Sequence, residues 1–220
     1  MTPADPALRG LLVDWGGVLT TALEDSMTRW AEATGIDFAS FRAAMRSWLG
    51  DIEAEIAAVN PVHALERGEI EVPHFEEQLA RRLSTTTGTP VPADGLLDRM
   101  FSYFEHAPDM AGLVRRARHA GLRTALLSNS WGNAYPREGW EEMFDAVVIS
   151  GEVGMRKPDP EIFLHTAALL RLDPAECVLV DDLPSNIEGA VAVGMVGVRH
   201  TAYDVTAAEL EALFGIRLRD

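Results

Sequence analysis

The chain has 220 residues, 47% of them hydrophobic, with a formal net charge of −15 and an isoelectric point near 4.7. That length suits one large domain or a domain carrying an insertion, and the apolar fraction is enough for a sizeable core. The acidity excludes nucleic acid and anionic membrane as expected partners, because both call for a basic face.

The single cysteine, Cys177, permits no internal disulfide and fits a reducing compartment. The stretch Met1 to Gly10 has no basic segment followed by a long apolar one, so neither a secretion signal nor a membrane anchor is expected there. No apolar run approaches the roughly 20 residues that a spanning helix needs. A cytoplasmic protein is the expectation.

In chain order, Gly10-Leu-Leu-Val-Asp14 is a short apolar run that ends in a carboxylate and then Gly16-Gly17. It reads as a buried strand opening into a tight turn. From Leu23 to Phe104 the apolar spacing becomes helical. Expected helices are Leu23–Thr34, Phe38–Leu49, Ile52–Val59, Val72–Leu83 and Ala93–Phe104, with breaks at Gly35, Gly50, Pro61, Gly68 and the loop Ser84–Pro92. After Pro108 strands and helices alternate. Helix Met110–Ala120 leads to strand Arg123–Leu127, then strand Ala146–Ile149, helix Pro160–Leu170 and strand Cys177–Val180. Helix Ser185–Val193, strand Val196–Arg199 and helix Ala207–Phe214 complete the pattern. Such alternation implies βαβ units and a parallel sheet.

The expected architecture is a doubly wound, Rossmann-like α/β core from residues 1–20 and 108–220, interrupted by an all-helical cap over 21–107. In open parallel sheets ligands sit beyond the carboxyl ends of the strands. Asp14, Ser128 and Asp181 all fall at such ends.

The segments that can carry chemistry lie at those ends. In Val13-Asp14-Trp15-Gly16-Gly17, a carboxylate leaving a buried strand can act as nucleophile or metal ligand, and the glycines allow close backbone approach to a ligand; the plainer reading is a turn aspartate. In Leu127-Ser128-Asn129-Ser130, a hydroxyl and backbone N–H groups can bind phosphoryl oxygens, or can simply end the strand. Lys157 is the one lysine among 19 basic residues, and it sits before Pro158-Asp159-Pro160, a strong helix start. It can serve a site or be a solvated lysine. Asp181-Asp182 repel each other at the end of an apolar strand and call for a cation, which fits the carboxylate habits of Mg²⁺; alternatively one of them caps the next helix.

Taken together and in this order, these segments resemble the sequence motifs of the haloacid-dehalogenase superfamily. The stretch from Gly154-Met155-Arg156-Lys157-Pro158-Asp159-Pro160 through Asp181-Asp182-Leu183-Pro184-Ser185-Asn186 to Gly194 is similar to the branch containing bacterial sugar-1-phosphate phosphatases and the N-terminal phosphatase domain of soluble epoxide hydrolases. Glu66-Arg67-Gly68-Glu69-Ile70 resembles a segment of that branch's helical cap. The resemblance implies a Mg²⁺-dependent phosphatase acting on a small phosphorylated metabolite, with a sugar phosphate as one candidate. Asp14 would form an aspartyl-phosphate. Mg²⁺ would be held by Asp14, the Gly16 carbonyl and Asp182, with Asp181 as a second ligand or support. Lys157 would neutralise nucleophile and phosphate, and Ser128, Asn129 and the Gly16-Gly17 backbone would contact the phosphoryl group.

One position departs from the pattern. Phosphatases of the superfamily carry a second aspartate two residues after the nucleophile, as general acid, and Gly16 stands there. General acid–base help is worth about 10²–10⁴ in rate. A good leaving group could dispense with it, another residue could supply it (Glu24, Asp25, His63 and His74 are the candidates), or the protein could be a weak phosphate binder. Phosphonoacetaldehyde hydrolases have a similar Asp-Trp start but need a cap lysine, which this chain lacks. Haloacid dehalogenases need no metal, which would leave Asp181-Asp182 a burden, so that reading ranks second.

Overall fold

The first apolar run forms strand β1 (Gly10–Val13), and all four residues are buried. The structure, a computed structural model, describes residues 7–36, 38–49, 60–132 and 135–219. β1 is flanked by β2 (Arg123–Ser128) and β4 (Cys177–Asp181), with β3 (Ala146–Ile149) beyond β2 and β5 (Val196–Arg199) beyond β4. All four pairings are parallel, giving the order β3-β2-β1-β4-β5. Strands covered on both faces read as continuous apolar runs rather than alternating ones, as β1 and β4 do.

Two helical layers cover the sheet. On one face, Leu11, Val13, Val178 and Val180 pack with α6 (Pro108–His119) and α11 (Tyr203–Phe214). On the other, Leu12, Leu127 and Leu179 pack with α9 (Pro160–Leu170) and α10 (Pro184–Ala192). Gly10 belongs to this second packing problem. A Cβ there would lie 2.7 Å from Leu172 and 2.9 Å from the Cys177 sulfur, so only glycine fits without a shift.

Between β1 and β2 lie α1 (Leu23–Thr34), α2 (Phe38–Leu49), α3 (Pro61–Glu66), α4 (Val72–Thr87) and α5 (Leu96–Phe101). They share a separate apolar cluster built around Trp30, Phe75, Leu79, Leu83 and Met100. Glu76 is buried in this layer because its carboxylate caps α5, accepting the Leu97 N–H at 2.8 Å. No strand occurs between residues 23 and 83 among the described residues, as the helical spacing predicts. The two passages between the layers are zipped together. Thr20 and His106 form an antiparallel bridge, flanked by Thr21 N–H to Glu105 O (2.8 Å) and Ala107 N–H to Leu19 O (2.9 Å).

Several elements differ from the expected ones for identifiable reasons. Pro61 opens a helix: it takes the first position of α3, where a missing N–H costs nothing, and Asn60 caps it by accepting from Val62 and His63. α4 runs on through the threonines to Thr87, whose hydroxyls fold back onto the carbonyls four residues earlier, and stops at left-handed Gly88. The helix expected over Ala93–Phe104 is confined to α5 because Gly95 precedes it in the left-handed region. α7 (Trp140–Met143) and α8 (Ser150–Val153) are single turns too short to leave a periodic signal. The expected helix Ile52–Val59 lies outside the described residues.

Cys177 lies on β4 with no solvent exposure. Burial, with Glu176 and Asp173 nearby, pushes its thiol up to about 12. The thiolate is the nucleophile. The folded protein should therefore resist iodoacetamide at pH 8, and labelling should follow urea unfolding. Rapid labelling of the folded protein would contradict this packing.

Candidate active site

Sheet register builds the site. Val13 pairs with Leu126 on one side and Val180 on the other. The next residue on each strand, Asp14, Leu127 and Asp181, therefore arrives at the same level of three adjacent strand ends. The Lys157 ammonium sits among them with no solvent exposure, 3.0 Å from Asp14 Oδ1, 2.6 Å from Asp181 Oδ2 and 2.8 Å from the Leu127 carbonyl it donates to. All three ammonium protons thus have acceptors, which is the condition for burying the charge. Burial opposes the charged amine, but Asp14 and Asp181 outweigh it and raise its pKa further. The two carboxylates thus favour the charged form of the lysine.

Asn129 fixes the backbone that carries this lysine. Its side-chain amide accepts the Lys157 N–H at 2.8 Å and donates to the Lys157 carbonyl at 2.9 Å. The two carboxylates of the 181–182 pair differ. Both oxygens of Asp181 are engaged, Oδ2 by Lys157 and Oδ1 by the Leu183 N–H (3.0 Å) and Asn186 Nδ2 (2.9 Å). Asp182 is only partly buried, and its carboxyl is raised to about 6 by burial and by the Asp181 charge. Burial likewise holds the Asp14 carboxyl above the usual carboxylate range, against the pull of Lys157 and with the help of Asp181. Asp14 Oδ1 receives both Lys157 and the Trp15 N–H (2.7 Å); Oδ2 has no hydrogen-bond partner among the described residues.

Oxygens of Asp14, Asp181 and Asp182 lie within 4.8 Å of one another. Three carboxylates against one ammonium leave an excess of negative charge, and a hard divalent cation with oxygen ligands suits that donor set. Gly17 makes the approach possible. Its φ is +70°, and a Cβ there would stand 2.5 Å from Asp182 Oδ2. At Gly16, by contrast, a Cβ would meet nothing within 4 Å.

A cleft of about 420 Å³ opens over Asp14, Gly16, Ser128, Asn129 and Asp182. The Ser128 hydroxyl is 2.9 Å from that of Tyr135. The loop bearing Tyr135 and the turn of Trp140 folds onto the core around Trp15, with ring centroids 5.8 and 5.3 Å away. The helical layer closes the other side. Glu66, buried at the end of α3, accepts from Arg156 Nε (2.6 Å) and Trp131 Nε1 (3.2 Å), while its carbonyl accepts the Ser150 hydroxyl at 2.5 Å. Opposite Ser150, Gly68 passes so close that a Cβ would lie 2.6 Å from the Gly151 carbonyl.

None of the four expected proton donors lines this cleft. Glu24 and Asp25 are exposed, Glu24 facing Arg42 at 3.5 Å. His74 is exposed on α4, and His63 is pushed down to about 4 by burial and by Arg156 and Arg67, so it is neutral near pH 7. His106 lines the cleft instead, edge-on to Trp15 at 5.7 Å. It sits on the returning passage from the helical layer, a place that only the paired chain crossing reveals.

Residues 8–194 match the haloacid dehalogenase-like hydrolase family. The chain belongs to that family, and it is a hydrolase. It is 27% identical to pig bifunctional epoxide hydrolase 2 over 96% of this chain and 40% of that protein. It is 33% identical to a glyceraldehyde 3-phosphate phosphatase of Methanopyrus kandleri over 57% of each. The chain thus spans well under two thirds of either relative. Among solved structures, a HAD-family enzyme of Bacteroides thetaiotaomicron in complex with magnesium and inorganic phosphate has the same fold, with TM-score 0.60 and 22% identity over 89% of this chain and 96% of that one. No helix among the described residues is long and apolar enough to cross a membrane.

Breaking a buried ion pair by deleting one partner costs about 3–5 kcal/mol. Lys157→Met should therefore destabilise the fold by about that amount in urea melts at pH 8. The cost should shrink at pH 5. A carboxyl with a raised pKa takes up its proton early as pH falls, and neutral Asp14 no longer needs the ammonium. An equal cost at both pH values would contradict the shared burial of these charges.

Proposed function

We propose that this hydrolase is a Mg²⁺-dependent phosphatase that cleaves a small phosphorylated metabolite through an aspartyl-phosphate at Asp14. The observation that carries the reading is the aligned strand-end cluster of Asp14, Lys157, Asp181 and Asp182, with Asp14 open to the cleft. The named phosphatase among the relatives supports the same chemistry. Residues 21–107 would act as a cap over a core of 1–20 and 108–220, a reading supported by the separate apolar cluster of the helical layer.

Asp14 Oδ2 would attack phosphorus in line, forming an acyl phosphate as the bond to the substrate oxygen breaks, and water would then cleave the P–O bond to the enzyme. Dividing the displacement in this way lets one electrostatic clamp serve both halves. Lys157 pulls Asp14 toward its ionised form against burial and would fix its direction. Ser128, Asn129 and the Gly16-Gly17 backbone would bind the phosphoryl oxygens. Asp14, the Gly16 carbonyl and Asp182 would hold Mg²⁺, with Asp181 behind them, and the ion would offset the negative charge that gathers as phosphate enters. The carboxylate excess works against the dehalogenase alternative, since an anionic haloacid would enter beside Asp182 without an offsetting cation.

Turnover of phosphate esters should vanish in chelator and return with Mg²⁺, Asp182→Asn should abolish that return, and Asp14→Asn should remove all turnover. Full activity in chelator with halide release from 2-haloacids would establish the dehalogenase reading instead. Phosphate and Mg²⁺ binding without turnover would identify a non-catalytic binder.

Because Gly16 stands where the acid is expected, rates should depend steeply on leaving-group basicity, with aryl phosphates ahead of primary alkyl ones. Gly16→Asp has open space around its Cβ and should recover up to about 10²-fold on the poor leaving groups, less on the good ones. A shallow dependence would mean a resident acid. His106→Gln should then steepen it.

A further inference from the structure

The phosphoryl group accounts for the floor of the cleft, and its walls are made differently. From the helical layer come Leu23, Met27, Phe101 and Phe104; from the core side come Trp15 and Leu183, with Trp131 at the junction. Leu23 and Leu183, one from the helical layer and one from the core, are large aliphatic side chains left 41% and 44% exposed where they line this cleft. Scattered exposed leucines mean little, but exposed apolar residues gathered in one cleft mark a surface that a ligand covers.

The polar inventory of the walls is equally informative. No arginine or lysine lines the cleft among the described residues. The acidic residues on the walls away from the metal cluster are Glu66, already engaged by Arg156 and Trp131, and Asp98. A second phosphate or a carboxylate on the substrate would find apolar surface or a like charge and no arginine or lysine to pair with, which penalises its desolvation.

From these walls we infer that the substrate is the phosphate monoester of a hydrophobic, uncharged alcohol or phenol, and that Leu23, Met27, Phe101, Phe104 and Leu183 bind its apolar part. This rests on the phosphatase reading and narrows its substrate class, away from metabolites bearing a second anionic group. Binding energy from such a non-reacting part of the substrate raises kcat/KM for the ester that fills the cleft.

The test uses para-substituted phenyl phosphates with the intact protein and Mg²⁺. Methyl through hexyl substituents leave the basicity of the phenol nearly constant, so their kcat/KM reports the walls alone. The value should rise by about fourfold per methylene until the cleft is full, the factor that burial of a CH₂ group supplies. Replacing the terminal methyl by a carboxylate should reverse the gain and fall at least tenfold below the alkyl ester of equal length. Leu23→Arg should narrow or invert that alkyl-to-carboxylate ratio, and Leu183→Arg should do the same. Turnover that is indifferent to chain length, or faster on the carboxylate, would overturn this inference while leaving the phosphatase reading intact. Absence of turnover on every ester, phenyl phosphate included, would overturn both.

Discussion

A single ammonium group with no access to water holds this site together. Lys157 touches the ends of three neighbouring strands at once, and each contact is one that the low-dielectric interior makes expensive to leave unmade. Without it, Asp14 and Asp181 would meet at one level of a parallel sheet with no ammonium between them. With it, Asp181 is fully engaged and silent, while Asp14 keeps one oxygen directed away from the lysine. The sheet register and the position of α9 are thereby tied to the chemistry. The Asn129 amide completes the arrangement by gripping both sides of the Lys157 backbone, so that the loop before α9 cannot drift from the end of β2.

The second constraint lies across the cleft. Glu66 is almost fully buried, and it draws one partner from the loop after β2 and another from the loop before α9. Its neighbour Arg156 immediately precedes Lys157, so the salt bridge that seats the helical layer and the ion pair that orients Asp14 hang from consecutive residues. Gly68 and Gly151 let the backbones touch at this point, and Ser150 passes its hydrogen bond to Glu66 while accepting the Ser130 N–H at 2.8 Å. The helical layer is thus tied to the core by polar contacts at the edge of the cleft.

How far the sequence reveals this depends on whether a feature is local. Strand ends are local: an apolar run stopping at Asp14, Ser128 or Asp181 shows its own boundary, and parallel topology puts such ends on one edge. The rarity of lysine in an arginine-rich chain singled out Lys157 before any contact was known. His106 carries no comparable signal, and Glu66 is marked only by the resemblance of its segment to a helical cap. The role of Glu66 in the fold comes from partners 65 and 90 positions away, separations that no periodicity encodes. His106 is placed by a bridge to Thr20 across the whole helical layer. The proton donors sought by chemistry alone (Glu24, Asp25, His63 and His74) failed for the converse reason, since residue type says nothing about which face of a helix meets the cleft. Pro61 reads as a break in the sequence, yet with Asn60 as its cap it opens α3, because a proline breaks a helix only when it is not the first residue of one.

The glycine at position 16 and the apolar walls bear on each other. A carboxyl there would join three others around one ammonium, and the surplus of like charge would raise its pKa, which is how a general acid is kept protonated. Removing it lowers the charge that the floor must carry and also removes the proton source for a basic alkoxide. A phenol or other stabilised oxyanion can depart without that proton, and its ring or chain is the kind of group that Trp15, Phe101 and Phe104 can enclose. A sugar alkoxide satisfies the leaving-group condition only where it departs from the anomeric carbon. On the proposed reading, the floor and the walls would favour the same kind of ester by independent routes, one through leaving-group basicity and the other through desolvation.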